Sequence, residues 1–337
     1  MRDNRARTFV TAQMVADRAG VSRSAVSRTF TDGASVSDTT RRKVLEAAAA
    51  LGYHVNHLAR VLRERSNIVC LVVADMTTPI RARMVDVLTR KLQAAGKVTM
   101  VINTETDTGS VSSALKQTLN YRADATVVLS GTPPASLIET CLANGQEVIL
   151  INRDDGLVGS RNLGVDNAMA GREALFLLRR AGCRRLALVT STARTASLLE
   201  RQRVFVEAAT AEGVPVVVTE AGPTSYRSGQ EAARRLFGRS NAPDGVFCVT
   251  DLLALGFMDA ARLEFGIRVP EDLCVVGFDD IEQAGWQSYQ LTTFAQPLDV
   301  MADAVVDLLL NPSLRDTSRR IIEPVPIWRR SVRPAGN

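Results

Sequence analysis

The sequence predicts an α/β protein in two parts: a small all-α helix-turn-helix module at the N-terminus, and a large two-lobed body built on parallel sheets. Three observations carry this. A helix, tight turn, helix pattern lies between Thr11 and Phe30; short apolar runs alternate with helix-length stretches from Ile68 onward; and positive charge is concentrated before residue 66. Alternating β-rich runs and helical stretches mean βα units, whose parallel sheets are covered on both faces.

The first element is helical because Val15, Ala16 and Ala19 recur at helical intervals. Gly20 supplies a residue able to take positive φ, and Ser22 can cap a second helix running from Arg23 to Phe30. Ala16 is small enough for two crossing helices to approach, while Val26 and Phe30, four apart, give the second helix its own buried stripe. The opposite face carries Arg23, Ser24, Ser27 and Arg28. Arginine can fork onto guanine O6 and N7 and serine can donate or accept, so this face suits the major groove of duplex DNA. A solvated helix face is the plainer alternative for such residues taken alone.

Charge distribution favours DNA. Residues 1–65 hold 12 Lys/Arg against 6 Asp/Glu, a net of +6, whereas the whole chain is +5, which leaves the remaining 272 residues at −1. A basic module on a near-neutral body fits counterion release at a phosphate backbone. Arg41, Arg42 and Lys43 open a third helical stretch behind a Ser37 cap, where they face either phosphates or solvent. His54 and His57 have no cysteine near them, which excludes a zinc-finger ligand set.

The linker Arg63 to Asn67 ends the module. Beyond it the apolar runs begin at Ile68, Val98, Ala125, Glu147, Leu186, Val216, Gly245 and Cys274, with a break near residues 153–165. Eight runs so divided predict two sheets of similar topology, with a ligand crevice at the carboxyl ends of the strands. The expected organisation is a DNA-binding module over residues 1–55, a hinge and linker over 56–67 and a body over 68–337; its N-lobe takes about 68–163 and 294–320, its C-lobe about 164–293 and 321–337.

Several classes are excluded. The first twenty residues hold Arg2, Arg5, Arg7 and Asp17 and no apolar core, so no signal peptide is expected. The apolar run from Ile68 to Ala74 is far short of the roughly 20 residues a membrane span needs. Cys70, Cys141, Cys183, Cys248 and Cys274 are scattered, mostly within apolar runs, as reduced core residues of a cytoplasmic protein would be. No Gly-x-Gly-x-x-Gly follows a strand and no P-loop occurs, so no nucleotide cofactor, or any other, is expected.

The segments AGVSRSAVSRTF, SVSDTTRRKVLEAAAALGYHVNHLARVL, TDLLALG at Thr250, RVPEDLCVVGFDD at Arg268 and LTTFAQP at Leu291 together resemble the lactose/galactose repressor (LacI/GalR) family of transcription regulators. The similarity runs through nearly the whole chain. It implies a body like a periplasmic sugar-binding protein and a recognition helix that places Arg23, Ser24 and Arg28 nearest the base edges. Thr11, Ser22 and Ser27 join these as DNA-facing positions. By the same resemblance, Asn56 to Leu62 is a hinge helix that forms on the operator, with Leu62 wedged into a central minor-groove step. Ala59 allows close pairing of two such helices, and Asn56, Arg60 and Arg63 lie against the DNA. Apolar wedges of this kind kink a duplex.

In the body, the residues matching family ligand positions are Ile80, Arg81, Ser130, Asn152, Arg201, Thr250 and Asp279. A carboxylate at Asp279 can accept from two sugar hydroxyls, and Arg201 can donate a fork to hydroxyls or an anion. Where many members carry aromatic residues after the first strand, this chain reads DMTTPIRARM. That departure, with Arg153 and Arg194 also placed to line the crevice, points to an anionic effector such as a sugar acid or sugar phosphate. Solvent-facing positions for Arg81, Arg153 and Arg194 are the alternative.

The expected protein is thus a regulator and no enzyme: a homodimer, without a membrane partner, that reads a palindromic operator and responds to a small molecule. The competing possibility is a cytoplasmic small-molecule-binding protein or enzyme with an incidental basic N-terminus. Catalysis is disfavoured because both histidines lie outside the βα body and no Ser/His/Asp or metal-spaced set is evident.

Overall fold

Each N-terminal helix forms where the chain offers a cap, an apolar stripe and a stop. In the computed structural model, α1 (Ala12–Ala19) begins behind Thr11, whose side chain accepts from the Met14 amide, and ends at Gly20 with φ 63°. That left-handed turn redirects the chain without a Cβ clash. Ser22 then caps α2 (Arg23–Thr29), one residue shorter than its spacing suggests, and Ser37 caps α3 (Asp38–Leu51). Val15, Ala16, Val26, Val44, Ala47 and Ala48 form the core of the module, closed by the Phe30 and Tyr53 rings at 5.7 Å.

The structure describes residues 10–31, 34–53, 66–105, 107–129, 133–153, 160–239, 241–311 and 319–334. By contacts the chain divides into two compact units, Met1–Ser66 and Asn67–Asn337.

In the second unit the elements follow as β1 (Ile68–Ala74), α4 (Pro79–Ala94), β2 (Val98–Thr104), α5 (Thr108–Asn120), β3 (Ala125–Val128), α6 (Ala135–Ala143), β4 (Glu147–Ile151) and β5 (Arg161–Val165). There follow α7 (Asn167–Arg180), β6 (Leu186–Thr190), α8 (Ala196–Ala211), β7 (Val216–Glu220), α9 (Tyr226–Phe237), β8 (Gly245–Cys248), α10 (Asp251–Phe265) and β9 (Cys274–Val276). The last elements are β10 (Thr293–Ala295), α11 (Leu298–Leu310), β11 (Arg319–Ile322) and β12 (Val325–Ile327). All eight apolar runs are strands.

The strands form a six-stranded sheet in the order β11-β5-β4-β3-β1-β2, a four-stranded sheet in the order β7-β6-β8-β9 and a β10-β12 ribbon. Every pair in the two larger sheets is parallel, and the ribbon is antiparallel. β1 is buried along its length because alternate residues serve opposite faces. Val69, Leu71 and Val73 pack with Met84 and Leu88 of α4, while Val72 packs with Leu115 of α5 and Ile138 of α6. This two-sided burial is why β1 reads as a continuous apolar run.

Apart from the β10-β12 ribbon, two strands have no apolar run to announce them. β5 lies inside the expected break at 153–165, and its Arg161 and Asn162 are both buried. Arg161 is held by Glu147 at 2.9 Å and by the Leu308 carbonyl, so a partnered cation takes a core position. β11 begins with two exposed arginines and pairs with β5 as the outermost strand. The first sheet therefore takes the chain to Val165 and again to Ile322. Between these strands the chain serves the second sheet as far as β10 and returns with α11, which packs against α4 and β5; after Ile322 it rejoins the second sheet, where the Val275 amide donates to the Ser331 carbonyl at 2.8 Å. Several passages thus join the two sheets, all of them near the carboxyl ends of the strands. Among the described residues no helix is long and apolar enough to cross a membrane.

α9 and α10 touch backbone to backbone. A Cβ on Gly256 would sit 1.9 Å from the Tyr226 carbonyl oxygen, and one on Gly229 2.1 Å from that of Leu253. Gly256→Ala should therefore destabilise the second unit by about 3 kcal/mol, seen as a lower denaturation midpoint in urea. An unchanged midpoint would mean that the helices can separate freely.

Candidate functional site

The first candidate surface is α2. Its apolar residues Ala25 and Val26 face inward, which leaves Arg23, Ser24, Ser27 and Arg28 exposed on the other side with no acidic residue in the helix. Thr11 and Ser22 are also exposed, but as caps their oxygens are engaged: Thr11 Oγ1 accepts from the Met14 amide at 3.3 Å and Ser22 Oγ from the Ala25 amide at 3.2 Å. They set the starts of α1 and α2 and present helix N-termini, where anions are favoured. Arg41 departs from expectation. Its Nη1 donates to the Thr29 carbonyl at 3.1 Å, so it ties α3 to the end of α2, while Arg42 and Lys43 remain exposed. Asn56, Ala59, Arg60, Leu62 and Arg63, like His54 and His57, lie outside the described residues, as does Ser130.

The second candidate is a crevice of about 470 Å³ in Asn67–Asn337. Ile80, Arg81, Asn152, Arg201, Thr250 and Asp279 all line it, together with Arg153 and Arg194. Fold geometry brings them together, because Asn152, Thr250 and Asp279 each follow a parallel strand and the strands of both sheets end here.

Arg201 projects from α8 and is buried. Its Nε donates to Asn167 Oδ1 at 2.8 Å, its Nη1 donates to the Val249 carbonyl at 2.5 Å, and its guanidinium lies 3.5 Å from the centre of the Phe278 ring. Burial pulls its pKa down to about 10, against the opposing pull of Asp279 and Asp251, so it stays charged at neutral pH. Asp279 stands at φ 125°, a backbone conformation held in place by its amide donating to the Phe294 carbonyl at 2.9 Å. Gln296 Nε2 donates to its Oδ1 at 2.7 Å. Burial raises the Asp279 carboxyl to about 6, although Arg201, Gln296 and Arg81 all favour its charged form.

Behind these lies Asp251, fully buried at the start of α10. It accepts from the Thr293 hydroxyl at 2.6 Å and the Ile281 amide at 3.0 Å. Burial, and then the charge of Asp279, lift its carboxyl to about 7. The neighbouring Thr250 hydroxyl is buried in the crevice wall with no hydrogen-bond partner among the described residues. A buried hydroxyl left unmatched is costly, and a ligand atom would satisfy it.

The other arginines are more constrained than their charge suggests. Arg81 Nη1 donates to the Ala74 carbonyl at 2.9 Å and to Asp75 at 3.1 Å, which pins it to the end of β1. Arg194, with its side chain 69% exposed, pairs with Glu220 at 3.0 Å on the rim. Asn152, at φ 57°, accepts from the Val165 amide through Oδ1 at 3.1 Å, which leaves its side-chain NH₂ for a ligand. Two contacts span the crevice: Ser197 donates to the Asn152 carbonyl at 3.4 Å and Arg83 to the Asp280 carbonyl at 3.0 Å. No aromatic residue is among the described residues lining the crevice.

Sequence reasoning missed Asp251, Ser197, Thr224 and Gln296. Asp251 and Gln296 sit in TDLLALG and LTTFAQP, beside residues already singled out, so proximity to those motifs was the available signal. Ser197 and Thr224 carried none.

Comparison with known proteins gives this arrangement its context. The profile of bacterial regulatory proteins of the lacI family matches residues 11–56, and that of a periplasmic binding protein-like domain matches residues 177–332. The transcriptional regulator MalR of Streptomyces coelicolor is 30% identical over 308 residues, 88% of each chain. The chain belongs to the LacI family of bacterial regulatory proteins. DegA of Bacillus subtilis is a further relative, 29% identical over 85% of this chain and 86% of its own. Among solved structures, the transcriptional regulator CelR in complex with cellobiose is 28% identical with a TM-score of 0.70, covering 96% of this chain and 99% of that one. The lac repressor dimer bound to operator and the anti-inducer ONPF shares the fold at TM-score 0.86, with 22% identity and coverage of 96% and 99%. These LacI-family relatives are transcriptional regulators, so the enzyme alternative falls and the chain is a DNA-binding regulator.

The buried carboxyls give the crevice a pH signature. Folded Asp251 and Asp279 retain protons that the unfolded chain has already released, so their contribution to stability is full below the ordinary carboxylate range and is lost as pH rises through about 6 to 7. Asp279→Asn removes one of these groups. Its unfolding free energy in urea should decline less than that of the native protein between about pH 5 and pH 8. Parallel declines would mean that Asp279 titrates as an ordinary carboxylate.

Proposed function

We propose that this LacI-family regulator is an allosteric repressor: a homodimer in the cytoplasm that binds a palindromic operator and changes its operator affinity when a small anionic carbohydrate, a sugar acid or sugar phosphate, enters the crevice. The observation that carries the effector assignment is the composition of the crevice wall. Arg201, Asp279, Thr250 and Asn152 offer donors and acceptors for a polyol, arginines surround them, and no aromatic ring is among the described residues that line the space. Carbohydrate C–H faces are ordinarily met by such rings, whereas guanidinium groups fork onto carboxylate or phosphate. The name of PurR of Erwinia tasmaniensis, 28% identical over 96% of this chain, supports repression, and the cellobiose in CelR supports a carbohydrate in the crevice.

On DNA, Arg23, Ser24, Ser27 and Arg28 are assigned to the base edges and Thr11, Ser22 and Arg42 to the backbone, where contacts fix register without reading sequence. Asn56, Arg60 and Arg63 are assigned to the hinge contacts, Ala59 to hinge pairing and Leu62 to the minor-groove wedge. Effector binding couples to this surface if the two arrangements of the lobes bind the effector unequally.

Two measurements test the proposal. Arg28→Ala should cost about 1–3 kcal/mol at one operator position and relax specificity there, whereas Arg42→Ala should weaken all sequences alike, both measured by competition against operator variants. A uniform loss from Arg28→Ala would remove it from base recognition. Thermal-shift screening should show stabilisation by anionic sugars, lost in Arg201→Ala; stabilisation by neutral pentoses or hexoses and by no anionic analogue would contradict the anionic assignment.

A further inference from the structure

At the amino ends of the second sheet's strands, opposite the crevice, lies a second hollow of about 570 Å³. Arg180, Trp328, Arg329, Arg330 and Arg333 line it, and Glu271 is the one carboxylate among its described lining residues. Two of the arginines form a fixed floor. Arg333 donates through Nη1 to the carbonyls of Pro270 at 2.8 Å and Glu271 at 3.0 Å, and through Nη2 to the Cys183 sulfur at 3.3 Å. Arg329 is held by Asp280 at 2.7 Å and by the Leu291 carbonyl at 2.9 Å.

The rim differs. Arg180 and Arg330 are exposed, and neither side chain has a hydrogen bond or ion pair among the described residues. Elsewhere in this unit arginines are commonly matched, as Arg179 with Glu212, Arg203 with Glu200 and Glu207, Arg234 with Glu264 and Arg268 with Asp272. Arg329 has Asp280 beside it, which leaves Arg180, Arg330 and Arg333 around the hollow with Glu271 as the one lining carboxylate among the described residues, and like charges so placed repel one another unless a further anion joins them. Trp328 completes the rim, 56% exposed, with the Arg180 guanidinium 5.7 Å from its ring centre. The indole is more than half exposed, with the Arg180 guanidinium beside its ring, and flat aromatic ligands stack on such platforms.

We propose that this hollow is a second ligand site, and that it takes a nucleotide: the base stacks on Trp328 while the phosphates are held by Arg180 and Arg330. A nucleotide combines the flat ring and the clustered charge that the two halves of the rim call for. The volume is of the size that encloses small ligands. Arg333 and Arg329, tied into the fold, keep the floor in shape, and Arg180 and Arg330, which hold no hydrogen bond or ion pair among the described residues, close onto the phosphates as forks.

The chain has two tryptophans, so in the full-length Trp286→Phe protein Trp328 alone reports by fluorescence. ATP should quench it saturably, with adenosine and tripolyphosphate each much weaker. Arg180→Ala and Arg330→Ala should each weaken ATP about tenfold, the loss of one charge-assisted contact. Arg203→Ala, on the exposed face of α8 and away from the hollow, should leave the quenching unchanged. Equilibrium dialysis of labelled ATP against the unsubstituted protein gives the same comparison without Trp286→Phe, with one bound nucleotide per chain expected. The proposal is overturned by absence of saturable binding, by ATP affinity in the Arg180 and Arg330 variants equal to that of the unsubstituted protein, by an equal loss of binding in Arg203→Ala, or by tripolyphosphate binding as tightly as ATP, which would mark a plain polyanion surface.

Discussion

A buried guanidinium in the field of two buried carboxylates, Arg201 with Asp279 and Asp251, is the interaction on which the crevice depends. Taking three ionisable groups out of water is expensive, and the attraction of Arg201 for the two carboxyls offsets it only when the remaining donors and acceptors are matched. Arg201 is matched by Asn167, the Val249 carbonyl and the Phe278 ring; Asp251 by Thr293 and the Ile281 amide; Asp279 by Gln296. These partners come from α7, the ends of β8 and β9, and β10 with the segment that follows it. The chain must therefore pass between the sheets as it does for the charges to be tolerable. Thr250 remains the unmatched group, and it faces the cavity.

Much of this was legible in the sequence, for identifiable reasons. Strands buried on both faces, such as β1 and β8, appear as unbroken apolar runs and give themselves away. The caps at Ser22 and Ser37 and the turn at Gly20 are local, so the N-terminal module could be traced residue by residue. β5 could not be seen because Arg161 and Asn162 are buried there, and what makes that possible, Glu147 and the Leu308 carbonyl, is distant in the chain. In the crevice, Asp279 and Arg201 stood in recognisable motifs. Their supporting contacts depend on three-dimensional neighbours, as does the finding that Arg81 and Arg194 are engaged with Asp75 and Glu220. The sequence counts charges; only the fold says which are already spoken for.

The same distinction shapes the functional account. The face of α2 proposed to meet DNA owes its character to what is absent beside it, since no carboxylate in that helix offsets Arg23 and Arg28. The crevice is the opposite case, where carboxylates and guanidinium groups are packed together and a ligand must compete with, or complete, an existing network. An effector that carries its own negative charge would exchange partners with Asp75 or Glu220 at the rim while its hydroxyls meet Asp279 and Thr250. Under the proposed function, such an exchange couples to DNA only if it favours one arrangement of the lobes, since a ligand without such a preference shifts nothing.

The central claim is that the DNA face and the crevice are coupled, and reciprocity tests it most directly. Effector affinity, measured by calorimetry on the full chain with and without saturating operator duplex, should change by the same factor by which the effector changes operator affinity. The account predicts a shared factor of roughly 5 to 150, the usual range for such coupling. Effector affinity that is identical on free and operator-bound protein would contradict it.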